Sequence, residues 1–140
     1  MNRLGFQELA EARLLDAKAL FEAGRFDAAY YLAGYVVECA LKACIARETR
    51  EHDFPPKPKK VADYYSHDLE KLVRFAAPVQ FEKDREGDTI LAGYWDLVTR
   101  WNEESRYELH RADAEKLAED ILLAISDAEH GVLKCLSKYW

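Results

Sequence analysis

No run of apolar residues in this chain comes near the roughly 20 that a membrane span requires. The longest aliphatic stretch, from Ile121 to Ile125, is little more than one helical turn. The first residues carry Arg3, Glu8, Glu11 and Arg13 where a signal peptide would have its apolar core. A cytoplasmic protein without membrane contact is therefore expected. Nucleotide and metal signatures are missing too: the sequence holds no Walker loop, no dinucleotide fingerprint, no zinc-ligand spacing and no Gly-x-Ser-x-Gly elbow. No cofactor and no metal site are expected. Cysteine is scarce, with Cys39, Cys44 and Cys135 alone. An odd number without a close pairing pattern excludes a disulfide framework, so these read as buried small apolar residues. Positive charge is in deficit as well. The net charge of -6 excludes a uniformly basic nucleic-acid surface, though not a local basic patch.

Period-two alternation is absent, and so are internal repeats. What remains is helical periodicity over 140 residues, enough for one domain with one core, here residues 1–140. Helices are predicted over about Leu4–Ala23, ended by Gly24, and over about Phe26–Glu48. The second carries Phe26, Ala29, Tyr30, Ala33, Val36, Val37, Ala40, Leu41, Cys44 and Ile45 as a continuous apolar stripe, which makes it the expected central helix. From His52 to Lys60 three prolines predict an exposed, locally basic loop (His52, Lys57, Lys59, Lys60) suited to phosphate contact. A short helix follows over about His67–Ala76, with Ser66 as its N-cap and Pro78 as its stop. Gln80–Gly87 reads as a loop. A fourth helix over about Asp88–Glu103 buries Leu91, Tyr94, Val98 and Trp101, and a last one spans about Asp113–Ser137. The expected fold class is all-α, an up-and-down bundle of four or five helices.

Three motifs then stand in series. The second helix contains Ala28-Ala29-Tyr30-Tyr31-Leu32-Ala33 and Val37-Glu38-Cys39-Ala40-Leu41-Lys42-Ala43. The next opens with His67-Asp68-Leu69-Glu70-Lys71-Leu72. The segment before the last helix reads Glu104-Ser105-Arg106-Tyr107. Together they resemble the HEPN domain family, named for nucleotide binding in higher eukaryotes and prokaryotes, over about Ala10 to Leu136. The resemblance implies a helical bundle that forms a homodimer, binds a nucleotide or RNA, and is paired with a minimal nucleotidyltransferase in toxin–antitoxin or defence systems. Some members are metal-independent RNases that use an Arg and a His four to six residues apart near the start of the last helix. Here Arg106 and His110 have only three residues between them. Arg47 and His52 have four but lie at the end of the second helix. Arg106-Tyr107 resembles the branch in which Arg-Tyr replaces the catalytic motif.

Candidate site residues follow. Glu38 lies within the most apolar helix, where an unpaired carboxylate is costly. Lys42 is one turn away, and Arg106 is the expected bidentate partner. His67 and Asp68 open a helix, Asp68 favoured there by the dipole and His67 available as a proton acceptor facing the same cleft. Glu38, Lys42, His67, Asp68, Arg106 and Tyr107 form the expected ligand-binding set, with Trp95 or Tyr107 available for base stacking. Arg106 and His110 are the catalytic pair if the chain is an endoribonuclease, since four residues apart on a helix they would share a face. A purely structural dimerisation module is the third reading.

Overall fold

The computed structural model of the chain describes residues 1–51 and 58–140, with helices throughout and no strand among the described residues. α1 (Arg3–Glu22) starts at Asn2, whose Oδ1 accepts the Gly5 amide at 2.8 Å. It ends in a Schellman turn. Gly24 adopts φ 75°, the Gly24 amide donates to Phe21 O at 3.0 Å, and the Arg25 amide donates to Leu20 O at 2.8 Å. That tight reversal lays α2 (Phe26–Glu51) back along α1, with Phe21 and Phe26 edge to face at 5.3 Å across the corner.

α2 is the central helix. It packs on α1, α4, α7, α8 and the 3-10 segment, and Ala29, Ala33, Val36, Val37, Ala40 and Leu41 are fully buried. Over Phe26–Thr49 it is also long and apolar enough, by composition, to cross a membrane, a point that a search for uninterrupted apolar runs does not show. Of that window 72 % is buried inside the protein, so its apolar surface belongs to the core.

α3 (Pro58–Tyr64) corrects the expected loop. It begins at a proline, which costs a helix nothing at its first position, and its Lys59 and Lys60 are exposed. His52 and Lys57 lie outside the described residues. α4 (Leu69–Ala76) is capped by Asp68, whose Oδ1 accepts the Lys71 amide at 3.0 Å. The expected Ser66 cap instead accepts the Asp68 amide at 3.1 Å, two residues too early to start the helix.

α5 (Pro78–Gly87) replaces the second expected loop. Pro78 both follows the end of α4 and opens α5, and one buried side chain, Phe81, holds it to the core against Trp95 at 5.0 Å. Seven of its ten residues are exposed, which hid that anchor from a periodicity argument. α6 (Thr89–Val98) is shorter than expected. Asp88 caps it through the amides of Ile90 and Leu91, and its buried face is Leu91, Trp95 and Val98. Trp95 is thus core rather than a stacking platform, while Tyr94 is half-buried.

A 3-10 segment (Glu103–Tyr107) and α7 (Ala114–Ser126) follow, then α8 (Val132–Leu136). The expected single last helix is broken at residues 127–131. Asp127 Oδ1 accepts the amides of Glu129 and His130, a side-chain turn that competes with the helix, and Gly131 passes against the Asp127 carbonyl where a Cβ would meet oxygen at 2.4 Å.

Candidate functional site

Glu38 is 1 % exposed, so its carboxylate must be met inside the protein. Lys42 Nζ donates to Oε1 at 2.8 Å from one turn along α2. The ring of His67, brought in at the start of α4, places Nδ1 at 3.0 and 3.1 Å from the two carboxylate oxygens. The His67 side chain is 46 % exposed. With Nδ1–H donating to the carboxylate, Nε2 is left as an outward-facing acceptor. Glu38, Lys42 and His67 therefore converge, and Asp68 beside them is engaged as the α4 cap.

Arg106 does not join them. It is exposed, and its guanidinium carbon lies 4.8 Å from the ring centroid of its neighbour Tyr107. The reason is steric. Trp101, 4 % exposed, packs flat on Gly34, where a Cβ would stand 2.2 Å from the indole, and stacks on Tyr31 at 6.1 Å. This seats the 3-10 segment on the first half of α2. Glu38 is seven residues beyond Tyr31, on the same face but about 10 Å farther along the axis. The expected Glu38–Arg106 pair is replaced by Lys42 and His67.

Arg106 instead borders a groove of about 330 Å³ with Arg25, Asp27, Tyr31, Ser105, Glu108 and His110. His110 does not share a helix with Arg106. The 3-10 segment ends at Tyr107, Glu108 is extended, and His110 sits at φ 60° with its amide donating to Asp27 Oδ2 at 2.9 Å. Both residues line this groove, connected by a turn rather than sharing a helical face. Arg25 and Ser105 were not anticipated there. Ser105 is 8 % exposed and its hydroxyl has no partner among the described residues, a feature the sequence does not signal. Arg47 donates to the Lys138 carbonyl at 3.4 Å, at the opposite end of α2.

A second polar cluster docks α8. Asp84 Oδ2 accepts Cys135 Sγ–H at 3.2 Å, Lys138 Nζ at 3.0 Å and the Tyr139 hydroxyl. Burial pushes Asp84 upward, but those three donors outweigh it and hold the carboxyl below its usual value. Asp88 takes His130 Nδ1 at 2.7 Å. That bond raises His130 above the usual histidine range and lowers Asp88. All three cysteines are buried and unpaired, and burial pushes Cys39 to about 11 and Cys44 and Cys135 to about 12, so none offers a thiolate at neutral pH. Among the described residues no group of three or more His, Cys, Asp or Glu could hold a metal ion.

Fold and sites together define an all-α helical-bundle domain built around one buried, acid-bearing helix. A family model described as HEPN domain matches residues 6–130, and the chain belongs to the HEPN family. No curated protein and no solved structure matches it.

Proposed function

We propose that this HEPN-family chain is a nucleotide- or RNA-associated module that works by binding, as a homodimer in the cytoplasm, within a toxin–antitoxin or defence system whose other half is a minimal nucleotidyltransferase. Family membership supports the association with nucleotides or RNA. The observation that carries the reading is the groove where Arg106 and Arg25 lie beside Tyr31. Guanidinium groups suit phosphate oxygens, and the exposed Tyr107 ring beside Arg106 offers a face for a base. The test is anisotropy of a labelled single-stranded RNA at two salt concentrations. Arg106→Ala should weaken binding by roughly tenfold and flatten the salt dependence. Binding that ignores the substitution sinks the reading. Co-expression with a nucleotidyltransferase encoded beside it should yield a complex, and gel filtration should give a dimer.

A second reading, a metal-independent endoribonuclease, is favoured by one fact: His110 borders the same groove as Arg106. The neutral imidazole would take a proton and the guanidinium would steady the phosphate charge. Purified chain in chelator should then cut RNA, and an Arg106→Ala, His110→Ala double variant should not.

A further inference from the structure

Between the start of α1, the second half of α2 and α3 lies a cavity of about 420 Å³, well away from the Arg106 groove. That volume lies within the range of small-molecule sites, about 300–1,000 Å³. Its walls are mostly apolar: Phe6, Ile45 and Tyr64 line it, and Tyr65 stands beside them 77 % exposed. The Tyr64 ring is fixed edge to face on Phe75 at 5.5 Å.

Charge on the wall is one-sided. Arg3 and Lys42 line the cavity and, among the described residues, no Asp or Glu does, in a chain of net charge -6. Lys42 is held in place, because its ammonium is bonded at 2.8 Å to Glu38, whose side chain is 2 % exposed. An ammonium has three N–H donors, so two remain after that bond. That bond also pairs the charge of Lys42 with Glu38, so Arg3 supplies the net positive charge on the apolar wall and Lys42 supplies oriented N–H donors for one negative group, while the rings and aliphatic side chains cover a flat body.

We propose that this cavity binds a small amphipathic anion, with its planar apolar body along Tyr64 and Tyr65 and its single negative group on Lys42 and Arg3.

Two dyes of nearly the same skeleton test it on the full chain: anilinonaphthalene sulfonate, which carries the negative group, and phenylnaphthylamine, which lacks it. Both should bind one saturable site, the sulfonate about tenfold more tightly. Arg3→Ala should bring the sulfonate close to the neutral dye while leaving the neutral dye's affinity unchanged, and Arg3→Lys should restore most of the difference. Ala46→Phe, which fills the cavity from α2, should remove both. Equal affinity of the two dyes, a sulfonate preference indifferent to Arg3→Ala, or the absence of saturable binding overturns the proposal. If Ala46→Phe fails to fold by circular dichroism, the Arg3 pair alone decides.

Discussion

Replacing Gly34 by alanine sets two effects against each other. Helix propensity favours alanine by about 1 kcal/mol in a helix interior. Against it, the new Cβ would stand 2.2 Å from two Trp101 ring atoms and 2.3 Å from a third. Carbon atoms rest about 3.5–4.0 Å apart, so the indole must retreat by more than about 1 Å. It has little room, being 4 % exposed and stacked on Tyr31. Overpacking of this kind costs about 1–3 kcal/mol, and partial loss of the indole's burial adds to that. The clash wins, and Gly34→Ala should destabilise the fold by about 2–3 kcal/mol, lowering Tm by about 5–10 °C. Urea unfolding followed by circular dichroism measures this. In a Trp101→Ala background the clash is gone, and the same substitution should be neutral or stabilising, a coupling of about 3 kcal/mol. Because the 3-10 segment hangs on Trp101, the single variant should also weaken RNA binding at the Arg106 groove. A Gly34→Ala chain as stable as the parent would refute the claim that Trp101 is seated on Gly34.

Glu38→Gln keeps shape but leaves Lys42 facing a neutral amide. With Lys42 15 % exposed and able to lean toward water, the cost should be about 2–3 kcal/mol by urea unfolding, and Lys42→Met in the same background should recover part of it. The His130–Asp88 pair predicts a pH profile. His130 is raised in the fold, so its contribution is complete below the ordinary histidine value and is lost as pH rises through the raised one. Asp88 is lowered, so its contribution is present above the ordinary carboxyl value and is lost as pH falls through the lowered one. Stability should decline from mildly acid toward alkaline pH, and His130→Asn should flatten that slope, read as Tm against pH. Gly131→Ala should destabilise by about 2–4 kcal/mol, since its Cβ would meet the Asp127 carbonyl oxygen at 2.4 Å and backbone cannot step aside as a flexible side chain can. The three thiols should resist an aromatic disulfide reagent at neutral pH in the folded chain and react after unfolding in urea, and rapid labelling of the native chain would contradict their burial.

The long amphipathic helices were legible because their apolar faces repeat over many turns. α2 shows this best, with its stripe running from Ala29 to Ile45 and its carboxylate correctly expected to be buried. The two short helices taken for loops were not legible. α5 has one buried apolar side chain, Phe81, and α3 starts at a proline that reads as a breaker inside a longer stretch but is harmless at a helix start. The break at 127–131 escaped for a different reason. The hydrophobic positions on either side keep helical spacing, and only the Asp127 side chain, turned onto the Glu129 and His130 amides, shows that the backbone leaves the helix. Trp95 rather than Tyr94 faces Phe81 because Trp101 lies beyond the end of α6 and does not belong to its stripe, which is Leu91, Trp95 and Val98.

The displaced Arg106 shows what pairing arguments leave out. A buried acid does need a cation, and Glu38 has one, but the nearest solution is one turn away on its own helix, and His67 Nδ1 sits between its two oxygens. Once Lys42 and His67 satisfy the carboxylate, nothing draws a third donor to it. The place of Arg106 is set instead by shape, through a tryptophan that fits only where α2 has no side chain. The chain therefore carries its acid centre and its arginine groove as separate features on one face of α2, about two turns apart. HEPN membership, which rests on the match over residues 6–130, does not depend on the two meeting.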